Sequence, residues 1–294
     1  MRYTLENEDL QVEVDTHGAE LKSMRDKASQ LDYMWRGDPA YYGRTSPNLF
    51  PIVGGLREKK YRYDGTEYEM SQHGFIRDMD WKMEQISEKE LHCVVEATED
   101  TLRVYPFRFR VAIHYLLTGR SLKITWTIEN CDTKKMYYSF GGHPCFTCPI
   151  HGEADKVGYG YDFHKDGNLT YYRNDGETGL FLPEAHELPL QKGRVTFTKD
   201  FFDTSTYILT DNETQQISLF DPQGQNYLTV SFDAPMVGLW SAEGKNAPYA
   251  AIEPWYGRCD DIDFSGSIEE RAGEMSLEAG GSFSSTYTIT AEEL

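Results

Sequence analysis

The feature that most limits what this chain can fold into is a strict alternation of apolar and polar residues. Phe107, Phe109, Val111, Ile113 and Tyr115 alternate with Arg108, Arg110, Ala112 and His114. Leu122, Ile124, Trp126 and Ile128 are separated by Lys123, Thr125 and Thr127. Leu10, Val12 and Val14 repeat the pattern near the start, and Met275 with Leu277, Phe283, then Tyr287 with Ile289 repeat it near the end. A period of two puts one side of a strand against a core and leaves the other wetter. That pattern suits antiparallel sheets better than a doubly wound parallel sheet, whose strands are apolar on both sides. No long stretch carries a helical period with caps, and Asp100 to Tyr105 reads as short irregular structure.

Turn signals separate the strands: Asp64-Gly65, Gly119-Arg120, Asp132-Thr133, Asp175-Gly176 and Pro222-Gln223-Gly224. No segment has linker composition and no repeat of 20–50 residues stands out. The expectation is therefore an all-β protein, a large antiparallel β-sandwich, with residues 1–294 as a single domain. A chain of this length can bury a large core, and 14% aromatic residues can fill it. Residues 157–203, rich in Tyr, Gly, Asn and Pro, are expected to hold several loops, one of them bordering a site.

The formal net charge is −19. A nucleic-acid backbone or an anionic membrane would meet a repulsive average field. A neutral small molecule would not, and an anionic one would need a local Arg or Lys cluster. No apolar run is long enough for a membrane helix. The N-terminal residues lack a signal segment, and the five Cys are an odd set, so a reducing, cytoplasmic setting with free thiols is expected. Cys145 and Cys148 have C-x-x-C spacing without the βαβ context of a redox site or a second ligand pair for zinc. No cofactor and no metal is expected.

Three segments break the plain strand pattern. Ser71 to Arg77 places His73 before Gly74, with Phe75 and Arg77 following. Ser139 to Phe146 places His143 after two glycines and before Pro144, which disfavours helical backbone at the His. Ala251 to Arg258 places Glu253 at the end of an apolar run, before Pro254 and Trp255. Each segment alone is equally well a polar strand end. Together they supply two imidazoles, a carboxylate, guanidiniums and an aromatic platform, a set suited to proton transfer near neutral pH. Upstream, Arg44 and Asn48 sit in a loop feeding the apolar run at Leu49–Val53 and could orient hydroxyls; an Arg salt bridge and an Asn turn cap are equally consistent with the sequence.

The ordered set SPNLFPIVGGL, QHGFIRDMDW, GGHPCF and AIEPWYGRCD resembles the aldose 1-epimerase (galactose mutarotase-like) superfamily, LacX-like branch, over roughly residues 5–290. The resemblance implies a supersandwich fold with an open sugar cleft and exchange of α and β anomers of an aldohexose, by a monomer or homodimer. It implies Glu253 as catalytic base, His143 as acid, His73 as a second catalytic His, and Arg44 as a substrate-binding residue. Asn48, Phe75, Arg77 and Trp255 are further candidates for binding, and Asp233 or Asp221 for the family's binding Asp. The early segment lacks the GRYANRI-like form of true galactose mutarotases, so no particular sugar is implied. Two other readings are open: a hexose-6-phosphate 1-epimerase using Arg44, Arg57 and Arg77, and a non-catalytic carbohydrate-binding protein using Trp35, Trp240 and Trp255 as stacking platforms.

Overall fold

A computed structural model describes residues 1–293. Two large antiparallel sheets dominate it. The first has nine strands in the order Arg194–Thr196, Gly160–Asp162, Gln216–Phe220, Asn226–Phe232, Ser282–Ala291, Ser121–Asn130, Phe109–Thr118, Glu90–Glu96 and Lys82–Ser87. The second has eight: Phe181–Leu188, Leu169–Asn174, Tyr207–Leu209, Met236–Trp240, Tyr249–Tyr256, Phe140–Gly142 and Asn48–Leu49, with Cys145–Thr147 also paired to Tyr249–Tyr256. A three-stranded sheet (Arg2–Glu6, Leu10–Asp15, Leu21–Asp26) and two short ribbons complete the strands. The all-β reading is met, and the longest alternating runs of the sequence form the middle of the nine-stranded sheet.

The alternation does what its period requires. Along Phe109–Thr118 the odd residues through Leu117 are buried and the even ones wetter. On Ser121–Asn130 the even residues are buried instead. The register pairs Ile113 with Trp126 and Tyr115 with Ile124, so both buried sets point to one side. That side meets the second sheet. The Trp126 ring lies edge-on to Phe140, 5.4 Å between centroids, and Phe140 stacks on Tyr256 at 4.6 Å. Such pairs add about 0.5–1.5 kcal/mol beyond their buried area.

Tyrosines tie the two sheets through polar tips on apolar rings. Tyr161 donates to the Ala251 carbonyl at 2.9 Å and Tyr227 to the Thr147 carbonyl at 3.1 Å. Tyr256 meets Ser285 at 2.6 Å. Each bond satisfies a hydroxyl that burial would otherwise leave unpaired.

One local expectation changes. Glu99–Val104 is an α-helix, capped by Thr98, whose side chain accepts from the Thr101 N–H while the Thr101 hydroxyl accepts from the Thr98 N–H. Residues 157–203 hold four strands joined by the expected loops, and Gly179, in the loop between Leu169–Asn174 and Phe181–Leu188, lines the cavity described below. Cys145 and Cys148 are free and buried, three residues apart in sequence but in different clusters of the core.

Candidate active site

The site is built on the strand Tyr249–Tyr256. Its even residues Ala250, Ile252 and Tyr256 enter the core between the sheets. Its odd residues take the opposite face of the second sheet, where Tyr249, Ala251 and Trp255 join two smaller apolar clusters. Period two therefore sends Glu253 outward with them, away from the main core.

Register then fixes its partner. Gly141 pairs with Trp255 on one side of a break, and Cys145 pairs with Ala251 on the other. The register is unchanged across the break, so His143 stands directly opposite Glu253. Pro144 and Pro254 interrupt the ladder there, since neither ring nitrogen can donate. His143 Nδ1 lies 3.3 Å from Glu253 Oε2. Gly238 flanks Glu253 on the other side. A methyl on Gly238 would fall 2.4 Å from the Trp255 ring, so the missing side chain is what lets the indole lie flat beside Glu253.

His73 arrives from the loop that follows the strand Thr66–Glu69. It has φ of 66° and precedes Gly74 at 68°, where a Cβ would meet the Phe50 carbonyl at 2.1 Å. Two consecutive left-handed residues turn the imidazole inward; for a His this conformation is held by its surroundings. The His73 N–H donates to the Gly54 carbonyl at 2.9 Å, and the Gly54 N–H donates to His73 Nδ1 at 3.1 Å. With Nδ1 accepting, the neutral ring carries its proton on Nε2. The two imidazoles meet edge to face at 5.6 Å.

These groups line one cavity of about 460 Å³, with Tyr42, Gln72, Arg77, Asn174, Trp240, Glu243 and Trp255 among its walls. His73, His143 and Glu253 are 8%, 5% and 2% exposed. Tyr42 stacks on His143 at 5.2 Å, and Trp240 closes on it edge-on at 5.4 Å.

Burial sets the protonation. It pushes the Glu253 carboxyl well above its ordinary range, against a smaller pull from the Trp255 indole, although no aligned hydrogen bond joins the two. Burial depresses His143 to about 3, and the Arg77 and Arg44 charges add to this. His73 is lowered too, by burial first and then by His143 and the same arginines. Burial thus disfavours charge on all three groups, favouring the protonated form of Glu253 and the neutral form of both imidazoles.

The other sequence candidates divide. Arg77 and Trp255 line the cavity with the catalytic candidates. Arg44 stands outside it, its guanidinium donating to Asp78 at 2.6 Å, and lines a neighbouring hollow. Asn48 is a structural brace: its amide donates to the Gly18 and Ala19 carbonyls and its oxygen accepts from Trp126. Phe75 packs against Tyr105 and Phe109. Asp233 is exposed after a strand end, and Asp221 holds a turn while facing His151 at 3.5 Å; neither lines the cavity. Arg57 is elsewhere, bonded to the Phe264 carbonyl. Sequence reasoning missed Tyr42, Gln72, Asn174 and Glu243 as site residues. Buried Asn174 Oδ1 and Arg77 Nε have no hydrogen-bond partner in the protein.

A carboxyl and an imidazole face to face in a β-sandwich cleft, ringed by aromatic side chains, suit acid/base chemistry on a small molecule. The chain belongs to the aldose 1-epimerase family, which matches residues 1–290. With that membership comes isomerase activity on the anomers of an aldose. It is 29% identical over 280 residues to the plasmid-encoded protein LacX of Lactococcus lactis subsp. lactis, covering 92% of this chain and 93% of that one. A crystal structure of a galactose mutarotase-like protein from Lactobacillus casei superposes with a TM-score of 0.93 at 28% identity, over 99% of this chain and 100% of the other. A galactose mutarotase related enzyme from Lactobacillus acidophilus gives 0.91 at 29% identity, over 100% and 98%.

Proposed function

We propose that this protein exchanges the α and β anomers of an unphosphorylated aldohexose, with Glu253 and His143 as the proton-exchanging pair. The observation that carries this reading is the pair itself: an acid and a base directly opposite one another, 3.3 Å apart, at the floor of a sugar-sized cavity. Sugar hydroxyls donating to Glu253 favour its ionised form, which moves the shared proton to His143. The carboxylate then takes the proton of the anomeric hydroxyl. The His143 imidazolium gives its proton to the ring oxygen as the C1–O5 bond breaks. C1–C2 rotation in the open aldehyde and reclosure on the other face return both protons. His73, with Nε2–H free to donate, stabilises the charge that builds on the ring oxygen. Arg77 and Asn174 hold hydroxyls, and Trp255 forms a wall.

A phosphorylated substrate is less well served. Arg44 and Arg77 are both drawn to Asp78, and Arg57 is remote. We further propose that residues 1–294 act as one domain, since the main core takes residues from Leu5 to Ala291. The −19 charge supports small neutral sugars rather than nucleic acid as partners, for a cytoplasmic monomer or homodimer. No helix among the described residues is long and apolar enough to cross a membrane.

Polarimetry or saturation-transfer NMR of freshly dissolved α-glucose and α-galactose tests the reading, with glucose 6-phosphate as comparison. The expected result is a rate above buffer that is higher for the free sugars. Rates equal to buffer across a panel of aldoses would overturn it, and faster exchange of the phosphate ester would move the substrate class.

A further inference from the structure

A second group of ligating side chains lies on the far side of the sandwich. Leu91, Cys93, Ile113 and Tyr115 fill the inner side of the nine-stranded sheet. Period two therefore turns Glu90, His92 and His114 to its outer face. His92 and His114 are register partners on adjacent strands, and Glu90 sits two residues before His92 on the same face. The imidazoles are 4.4 Å apart, nearly perpendicular. His114 Nε2 is 2.9 Å and His92 Nε2 3.6 Å from the same oxygen, Glu90 Oε1. One ligand atom from each of the three residues lies within 4.8 Å of the others.

The geometry points to a divalent-metal site of the zinc class formed by Glu90, His92 and His114. Zinc bonds of about 2.0–2.1 Å at tetrahedral angles put ligand atoms roughly 3.3–3.4 Å apart. The two measured separations, 2.9 and 3.6 Å, straddle that value, so small rotamer changes suffice. Two imidazoles and one carboxylate favour zinc over magnesium or calcium, which prefer all-oxygen shells. The three side chains are 31–45% exposed, which leaves an entry path and a fourth position for water. A bound ion would cross-link Glu90–Glu96 to Phe109–Thr118, next to the edge strand Lys82–Ser87. It would act on the sheet and not on the anomeric chemistry.

The test is isothermal titration of ZnCl2 into full-length, chelator-treated protein at pH 7.5 with a phosphine reductant. The expected result is one equivalent bound in the micromolar range. His92→Ala and His114→Ala should each weaken binding tenfold or more, and Glu90→Gln less. Cys131→Ser, which removes the exposed thiol, should bind as wild type. Zinc should raise the melting temperature of wild type and not of His114→Ala, while anomer-exchange rates stay the same in both. MgCl2 should give no comparable heat. Affinity weaker than millimolar, or micromolar affinity unchanged in all three ligand variants, would overturn the proposal.

Discussion

Replacing Glu253 by Gln keeps the volume and removes the proton relay. A positioned acid or base is worth roughly 10²–10⁴-fold, and the variant should lose this much. In barrier height that is about 3–5 kcal/mol. The structure adds a second, less obvious expectation. Glu253 is 2% exposed and burial favours its protonated form, so the amide resembles the form of the carboxyl that the fold favours. The raised folded value means that wild type loses stability as pH rises above the ordinary carboxyl range, because the unfolded chain ionises there and the folded one does so only later. Gln has no such loss. At pH 8 Glu253→Gln should melt no lower than wild type while being nearly inactive. A third expectation follows from the 3.3 Å contact. His143→Asn should lose a similar factor, and the double variant scarcely more than either alone, because one proton serves both groups. Polarimetry with α-glucose gives the rates, and calorimetry the melting temperatures. Retention of more than a tenth of the wild-type rate would refute the base. Losses that multiply in the double variant would refute the shared proton.

Other consequences can be measured on the same preparations. Gly238→Ala pushes a methyl into the Trp255 ring, 2.4 Å away, so kcat should fall at least tenfold with the fold retained, read by polarimetry and circular dichroism. His143 lies at about 3 in the fold, so stability should fall as pH drops below the ordinary imidazole value of 6.5, by about 1.4 kcal/mol per pH unit for this one group; urea unfolding from pH 7 to 4 measures it, and His143→Asn should flatten the slope. Lys156 is buried and donates to Ser241 Oγ and to the carbonyls of Ala247 and Tyr249, the loop that carries Ala242, Glu243 and Lys245 to the cavity. Lys156→Met leaves these acceptors unpaired at a cost on the order of 3 kcal/mol, seen as a lower denaturant midpoint with a raised KM.

The sheets were legible because their signal is local. Residues 109–118 and 121–130 announce period two, and their joint register follows from the short Gly119-Arg120 turn. The positions 73, 143 and 253 were legible as chemistry because His-Gly, His-Pro and Glu-Pro put titratable groups where the plain strand pattern breaks. Their distance from one another was not legible. It depends on two short strands, Phe140–Gly142 and Cys145–Thr147, keeping one register across a break. Arg44 and Arg77 could not be ranked from sequence, because both pair with Asp78 and only the fold puts Arg77 in the cavity wall and Arg44 in the neighbouring hollow. Asn174 was hidden in the short strands of residues 157–203. Gly238 carried an unused signal: a glycine between Val237 and Leu239 in a strand marks a close approach, here of Trp255.

The same burial that assembles the site also explains why it rests in a neutral state. A separated carboxylate and imidazolium at 2% and 5% exposure would each lose hydration, and their attraction at 3.3 Å repays that only if further donors and acceptors are present. The protein supplies few: no aligned hydrogen bond reaches Glu253 from Trp255. The missing donors are hydroxyls, which a sugar brings with it. On this reasoning the substrate completes the polar network, and its arrival moves the proton from Glu253 to His143. An apolar ligand of the same size should fill the cavity without shifting the pair. Infrared spectra of the Glu253 carboxyl, taken as the difference between wild type and Glu253→Gln, should show the protonated band decline with added sugar and persist with cyclohexanol, whose single hydroxyl cannot complete the network. A band unchanged by sugar at saturating concentration would refute the transfer.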